Sequence, residues 1–251
     1  MTDASARALL AHLSPLQGDM LEALELVVSH ESPSRDKSAL DALADVIARR
    51  FSSLGLDVER LPNGQGGDHL RVRRGFAAGS KPPALVLCHF DTVWPAGTLD
   101  RMPFRVEDGR AYGPGVFDMK ASLVLVEFAL RALHASDLPP PRPISLLFTS
   151  DEEIGSPTSR GLIEDEARSS AYVLVMEPPL PGGRLKTARK GVGGFQIEVF
   201  GRPAHAGVEP ERASVPSSSL HTRSSPSNGW PTRKRGLRST SESCTGGPPR
   251  T

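Results

Sequence analysis

The chain has 251 residues, of which 38% are hydrophobic, enough for the core of one large domain or two modest ones. Its 30 basic and 29 acidic residues nearly cancel, so no net charge favours nucleic acid or an anionic membrane. The first residues lack a secretory signal pattern, no apolar run is long enough to span a membrane, and only Cys88 and Cys244 are cysteines. We therefore expect a cytoplasmic protein without disulfide bonds.

Hydrophobic periodicity predicts helices that alternate with strands between residues 17 and 177. Helical spacing occurs at residues 17–29, 39–54, 119–134 and 159–167. Strand-like runs occur at residues 55–62, 69–75, 84–91, 144–151 and 171–177. The runs that begin at residues 84 and 144 are almost continuously apolar, which is typical of strands buried on both faces. The alternation predicts an α/β sheet that is covered by helices on both sides.

The composition changes after residue 178. Residues 179–213 start with a Pro- and Gly-rich break and continue as an apparent antiparallel hairpin, which predicts the beginning of a second domain. Residues 214–251 are rich in Ser, Pro and Arg, and Glu242 is their only acid. A segment of this composition buries too little apolar surface to offset the entropy of ordering it. We expect a first domain at 1–178, an incomplete second domain at 179–213 and a disordered tail at 214–251.

Acidic and imidazole side chains follow the ends of the predicted strands or lie in adjacent loops. They are His89, Asp91, Asp118, Glu152, Glu153 and Glu177. The carboxyl ends of strands in an α/β sheet converge on one edge, where unpaired carboxylates repel one another unless cations neutralise them. This mixture of nitrogen and oxygen donors suits Zn²⁺, with Co²⁺ or Mn²⁺ as alternatives. The sequence therefore favours a two-metal centre.

Each of these residues also has a structural interpretation when it is considered alone. His89 and Asp91 could be a surface histidine beside a turn, although their spacing on an extended backbone lets the carboxylate orient the imidazole. Asp118 could be a helix N-cap, and Glu177 could be a turn residue. Adjacent glutamates are common on solvated surfaces. The metal-site interpretation depends on whether the fold brings these residues together.

Five segments resemble, in order, the motifs of the dinuclear zinc family of carboxypeptidase G, aminoacylase, acetylornithine deacetylase and succinyl-diaminopimelate desuccinylase. The segments are HFDTVWPAG at 89–97, GRAYGPGVFDMKAS at 109–122, TSDEEIGS at 149–156, VMEP at 175–178 and RPAHAG at 202–207. The resemblance implies a mixed, mostly parallel sheet flanked by helices, followed by a small α+β lid domain. It also implies a catalytic role for residues 1–178.

The resemblance implies two bound Zn²⁺ ions with defined ligands. The residues that match the family's metal ligands are His89, Asp118, Glu153 and Glu177. His89 and Glu177 would bind the first ion, Glu153 would bind the second, and Asp118 would bridge both. A cis peptide bond after Asp118 is also implied.

The resemblance further implies metal-dependent hydrolysis of amide bonds by a hydroxide that the two ions share. Glu152 would be the general base, and Asp91 would hold the first metal ligand in its binding tautomer. His205, in the lid segment, would reach the substrate carbonyl across a dimer. The substrate would be a small peptide or an N-acyl amino acid, and no nucleic-acid or membrane partner is expected.

The sequence departs from the family pattern after the fifth motif. Family members are longer and supply a last histidine to the second ion, whereas only His221, which matches no motif, follows His205 here. We expect an incomplete second metal site and hypothesise a frameshift or truncation near residue 212 or 213. The alternative function is that of a non-catalytic remnant that binds one metal ion or none. A nucleic-acid-binding role for the basic run at 232–238 is a weaker alternative.

Overall fold

The structure is a computed structural model that describes residues 3–188 except for residues 78–80, 137 and 139. The described residues belong, apart from residue 188, to one compact unit at residues 1–187. All helices and strands described below belong to this unit. Most of the predicted lid segment and the whole predicted tail lie outside the described residues, so the domain bounds proposed from the sequence stay predictions.

Five α-helices lie in the described part of the chain. They are α1 (Asp3–Leu13), α2 (Gln17–Val28), α3 (Lys37–Ser52), α4 (Ala121–Ala135) and α5 (Arg160–Ser169). Helix α3 begins after Asp36, whose carboxylate accepts the backbone N–H of Ala39 at 3.0 Å. The four predicted helices are thus confirmed, with their ends shifted by a few residues. None of the helices in the described residues is long and apolar enough to cross a membrane.

Seven strands form two sheets in the same part of the chain. They are β1 (Asp57–Leu61), β2 (His69–Arg74), β3 (Ala84–His89), β4 (Arg105–Glu107), β5 (Arg110–Tyr112), β6 (Ile144–Thr149) and β7 (Tyr172–Val175). The larger sheet has the order β1-β2-β6-β3-β7, and β4 pairs with β5. Strand β2 is antiparallel to β1 and β6, whereas β3 is parallel to β6 and β7. The mixed sheet is confirmed, and its parallel pairs lie in one half.

Side chains alternate between the two faces of the larger sheet along each strand, and helices cover both faces. One face joins α2, α3 and α4 in the main core through Leu70, Val72, Val86, Cys88, Leu146 and Phe148. The opposite face meets α5, where the hydroxyl of Ser145 on β6 donates to Glu166 at 2.9 Å. The predicted α/β class, a mixed sheet flanked by helices, is therefore confirmed.

Strand β7 forms one edge of the larger sheet and pairs only with β3 among the described strands. Its four side chains are 37% to 57% exposed, although they are all apolar or aromatic. In contrast, most side chains of β3 and β6 are buried. The parallel half of the sheet is thus covered at its centre and open at this edge.

Helix α1 and the β4–β5 hairpin were not predicted. The two strands of the hairpin have only three residues each, too few to show a periodic pattern. Asp108 and Gly109 join them with φ values of +50° and +72°, as in the Asp-Gly turns that connect short hairpins. This Asp-Gly pair was the one local signal for the hairpin.

The loop before β2 packs closely on α3 at Gly67. A Cβ atom at Gly67 would lie 2.4 Å from Cβ of Leu40, which is fully buried, whereas a Cβ atom at Gly64 would meet nothing within 4 Å. We expect Gly67→Ala to lower the free energy of unfolding by about 1–3 kcal/mol, because the loop must move away from the helix. Urea denaturation measures this change. Gly64→Ala is the matched control, with an expected change within about 0.5 kcal/mol, and equal effects would contradict the close packing.

Candidate metal centre

The carboxyl ends of the parallel strands bring three of the predicted segments to one edge of the sheet. His89 is the last residue of β3, and Glu177 lies two residues after the end of β7. Glu152 and Glu153 lie in a short 3-10 turn after β6. Because β3 is parallel to both β6 and β7, all three segments leave the sheet on the same side.

Asp118 approaches the same site from the turn before α4. This turn follows Gly115, which has a φ of +70° and where a Cβ atom would lie 2.6 Å from Cγ2 of Thr92, so glycine is required on both counts. The peptide bond between Asp118 and Met119 is cis, as the family resemblance implied. The N-cap of α4 is Lys120, with no capping hydrogen bond from a side chain. The interpretation of Asp118 as an N-cap is therefore wrong.

The imidazole of His89 is buried, and its Nε2 atom faces three carboxylates. Its Nδ1 atom lies 3.0 Å from the carbonyl oxygen of Asp91 and 3.3 Å from Oδ1 of the same residue. These oxygens are acceptors, so Nδ1 can donate to Asp91, and a neutral ring with its proton on Nδ1 would present the lone pair of Nε2 to a metal ion. Nε2 lies 3.1 Å from Asp118 Oδ1, 3.3 Å from Glu177 Oε1 and 3.9 Å from Glu152 Oε2.

The carboxylate of Asp91 joins the loop after β3 to the loop after β6. Its Oδ1 atom accepts the backbone N–H of Glu152 at 3.1 Å, and its Oδ2 atom accepts that of Glu153 at 3.2 Å. His89 is 2% exposed and Asp91 is 0% exposed, so the interpretation of this pair as surface residues is wrong. Asp91 therefore fixes the imidazole and the two glutamates relative to one another.

Two overlapping groups of donor atoms in the described residues could each hold a metal ion. One contains His89, Glu152 and Glu177, the other contains His89, Asp118 and Glu153, and the donor atoms within each group lie within 4.8 Å of one another. The adjacent glutamates fall in different groups, and Glu152 joins Glu177, a pairing that the sequence did not predict. One imidazole nitrogen with carboxylate oxygens fits Zn²⁺, Co²⁺ or Mn²⁺.

The clustered charges change the protonation of the site. Burial lowers the pKa of His89, but hydrogen bonds to Asp91 and Glu177 and the surrounding negative charges raise it to about 11. Burial raises the pKa of Glu152, and the negative charges of the neighbouring carboxylates raise it further, whereas the positive charge of His89 lowers it. Hydrogen bonding to His89 lowers the pKa of Glu177. Without a metal ion, a protonated His89 thus supplies the positive charge that a bound cation would otherwise provide.

Lys120 and Glu31 support the neighbouring loops, which are roles that the sequence did not predict. Lys120 is 1% exposed and donates from Nζ to the carbonyl oxygen of His30 at 2.7 Å. Burial lowers the pKa of Lys120 to about 7, although the charge of Glu31 opposes this shift. Glu31 accepts the backbone N–H groups of Gly97 at 2.7 Å and Leu99 at 2.9 Å. Lys120 lies within a quoted motif, whereas Glu31 gave no signal in the sequence.

His205, the predicted partner of the substrate carbonyl, lies outside the described residues. The other six predicted site residues all lie at the carboxyl edge of the parallel strands or form hydrogen bonds with residues at that edge. The structure therefore brings together the side chains that the motifs indicated between residues 89 and 177.

A comparison with protein families identifies the relatives of this chain. The model of peptidase family M20/M25/M40 matches residues 85–226, more than half of the chain. The chain belongs to peptidase family M20/M25/M40. The matched region includes all the segments that supply the candidate metal donors, from His89 to Glu177.

The relatives of this M20 chain include a carboxypeptidase and a desuccinylase. Carboxypeptidase G2 of Pseudomonas sp. (strain RS-16) is 33% identical over 213 residues, which cover 82% of this chain and 51% of that protein. The succinyl-diaminopimelate desuccinylase of Acidovorax ebreus (strain TPSY) is 30% identical over 203 residues, which cover 72% of this chain and 50% of that protein. The chain therefore spans about half the length of these relatives.

Solved structures share the fold. Human carnosine dipeptidase 1 matches with a TM-score of 0.60 and 20% identity, over 69% of this chain and 41% of that chain. Sso-CP2 from Sulfolobus solfataricus, described as an M20 family metallo-carboxypeptidase, matches with a TM-score of 0.55 and 22% identity, over 66% of this chain and 39% of that chain. At these identities the likeness shows a common fold.

Metal binding at this centre should depend on pH, because His89 must lose a proton whose pKa is raised to about 11. Below that pH, each ion bound through Nε2 releases a proton. We expect the apparent affinity for Zn²⁺ to rise about tenfold per pH unit between about pH 6 and pH 8. Isothermal titration calorimetry in buffers of different ionisation enthalpy measures both the affinity and the released proton. A pH-independent affinity would contradict the raised pKa of His89.

Proposed function

We propose that this chain is the metal-binding catalytic part of a hydrolase that cleaves amide bonds, of the carboxypeptidase or N-acyl-amino-acid deacylase type. The observation that carries the proposal is the convergence of one imidazole and four carboxylates, supplied by four separate segments, on two overlapping donor groups. Membership of peptidase family M20/M25/M40 and the names of the two relatives support the same reaction class.

Two divalent cations, in our proposal Zn²⁺ with Co²⁺ or Mn²⁺ as substitutes, would occupy this centre. His89 and Glu177 would hold the first ion, Glu153 would hold the second, and Asp118 would bridge them. In support, neutral His89 has a single lone pair at Nε2 and therefore serves one ion at a time, whereas a carboxylate has two oxygens and can join two ions. Asp118 Oδ1 lies 3.1 Å from His89 Nε2, and Asp118 shares a donor group with Glu153.

The second ion is expected to bind more weakly than the first. In this assignment it has two protein donors within the described residues, Asp118 and Glu153, whereas the first ion has three. The histidine that completes the second site in the family has no match in this sequence. We therefore propose that the described residues alone leave the second site incomplete.

Glu152 is the proposed general base. Its side chain is 48% exposed beside the donor atoms, and burial together with the neighbouring carboxylates raises its pKa. A raised pKa makes a carboxylate a better proton acceptor near neutral pH. The cations, when bound, would polarise the substrate carbonyl and acidify the attacking water. Glu152 would take a proton from this water and deliver it to the leaving amine nitrogen.

We propose a small peptide or an N-acyl amino acid as the substrate. In a homodimer, His205 of the proposed lid segment at 179–213 would donate a hydrogen bond to the carbonyl oxygen of the substrate that is bound in the partner subunit. The segment at 214–251 has no role in this proposal, and neither nucleic acid nor a membrane is proposed as a partner.

A non-catalytic remnant that binds one metal ion or none is the second candidate. The observation that favours it is that the chain spans about half the length of its relatives. The two candidates differ in whether the chain hydrolyses an amide bond and whether that rate depends on Glu152.

Glu152→Gln removes the proposed proton acceptor and keeps the size of the side chain. We expect the rate of hydrolysis of N-acyl amino acids or of peptides with a free carboxyl terminus to fall by about 10²- to 10⁴-fold. The metal content, measured by mass spectrometry, should stay near that of the unmodified chain. Glu153→Gln is the matched control, which should lose the second ion. Equal trace rates for the unmodified chain and Glu152→Gln would support the remnant.

Zinc should stabilise the fold, because a cation relieves the repulsion between the clustered carboxylates. At a free Zn²⁺ concentration about 100 times the dissociation constant, the gain is about 2.7 kcal/mol. For a unit of this size that gain raises the unfolding midpoint by about 5–10 °C, measured by calorimetry against a chelator-treated sample. His89→Ala should remove most of the shift, whereas His134→Ala, at an exposed position on α4, should keep it. A shift that survives His89→Ala would place the ion elsewhere.

A further inference from the structure

The loop that carries Glu152 and Glu153 is held from behind by the buried carboxylate of Asp151, which is 3% exposed. Thr158 donates to Asp151 Oδ2 from its backbone N–H and from its hydroxyl, each at 2.7 Å. Ser159 donates from its backbone N–H to Oδ2 at 3.1 Å and from its hydroxyl to Oδ1 at 2.5 Å. With four hydrogen bonds to the start of α5, Asp151 is fixed in place and does not belong to either donor group.

His69 extends this set of hydrogen bonds to the first residue of β2, and it is 2% exposed. The backbone N–H of Ser150 donates to His69 Nδ1 at 3.2 Å, so the neutral ring carries its proton on Nε2. That Nε2 atom lies 3.1 Å from Oγ1 of Thr158, which accepts the proton and donates its own to Asp151. Burial lowers the pKa of His69, although the charge of Asp151 opposes this, which favours the neutral ring.

The hydroxyl of Thr158 also connects to the loop before β2. Asn63 donates from Nδ2 to Thr158 Oγ1 at 2.9 Å and to the carbonyl oxygen of Gly67 at 3.1 Å. The hydroxyl of Ser150 donates to the same carbonyl oxygen at 2.5 Å. The hydroxyl of Thr158 thus takes part in three hydrogen bonds, with His69, Asn63 and Asp151. These bonds link β2, the loop before β2 and the start of α5 to the loop after β6.

We infer that His69, Asp151 and Thr158, here called the loop clamp, are positioning residues that fix the backbone of Glu152 and Glu153 for metal binding. The backbone N–H groups of these glutamates are bonded to Asp91 on the metal side, at 3.1 and 3.2 Å. The loop is therefore held between two buried carboxylates that belong to neither donor group.

The loop clamp sets the affinity for the ion that Glu153 binds, a statement that rests on the proposed two-ion function. This ion depends on the loop after β6 for one of its two protein donors. The first ion draws His89 from β3 and Glu177 from the end of β7, and no hydrogen bond or ion pair joins the loop clamp directly to either residue in the described part of the chain. Partners that orient a ligand change metal affinity by about 10- to 100-fold in comparable sites.

Thr158→Val tests the inference, because it keeps the shape of the side chain and removes the hydroxyl at the centre of the loop clamp. Thr158→Ser keeps a hydroxyl and should restore the behaviour of the unmodified chain. Ser145→Ala is the matched control: its hydroxyl is also buried and also joins β6 to a carboxylate of α5, but at the opposite end of the strand. Should Thr158→Val fail to fold, His69→Gln breaks the same chain of hydrogen bonds at its other end.

The first measurement needs no metal. Amide hydrogen exchange by NMR reports the protection of the Glu152 and Glu153 N–H groups, which are bonded to Asp91. We expect exchange at these two amides to be about tenfold faster in Thr158→Val, and unchanged in Thr158→Ser and Ser145→Ala. Unchanged exchange in Thr158→Val would overturn the inference.

The second measurement is a titration of the full chain with Zn²⁺ or Co²⁺. We expect Thr158→Val to weaken binding of the second ion by about 10- to 100-fold and to leave the first ion unaffected. Equal weakening of both ions, or the same loss in Ser145→Ala, would show a general loss of stability and overturn the inference. Faster exchange at the two glutamates in a chain that binds no second ion would overturn the two-ion proposal and support the positioning of the loop.

Discussion

The buried carboxylate of Asp91 is the interaction on which the candidate centre depends. A carboxylate with no exposure must have its oxygens satisfied by hydrogen bonds, and here a histidine ring and two backbone N–H groups satisfy them. These donors come from the ends of β3 and β6, which are neighbours in the sheet. The same bonds therefore satisfy a buried charge and hold the imidazole of His89 beside the glutamates of the next loop.

This arrangement places several negative charges at one edge of the sheet. Four carboxylates surround a single imidazole in the two donor groups, and the pKa of that imidazole is raised to about 11 because burial is outweighed by its carboxylate neighbours. Such a cluster is unfavourable unless positive charge is present, because the carboxylates repel one another. A bound cation would reduce this repulsion.

Both halves of the mixed sheet contribute to the centre. The parallel half, β6-β3-β7, delivers the donors, whereas the antiparallel strand β2 delivers His69 to the back of the loop after β6. Lys120 and Glu31 anchor the loops on the other flank through a carbonyl oxygen and two backbone N–H groups. The candidate ligands are thus held by backbone and buried polar groups from most of the described unit.

The sequence by itself determined the helices from α2 to α5, the strands of the larger sheet, and the donor residues at their ends, because periodicity and motifs are local properties of the chain. Tertiary structure alone decided which polar groups meet. The pairing of Glu152 with Glu177, the burial of Lys120 and the contact of His69 with Thr158, 89 residues apart, depend on strand order and loop packing. A local pattern records which residues are polar, but the partner of a buried polar group is set by register and topology.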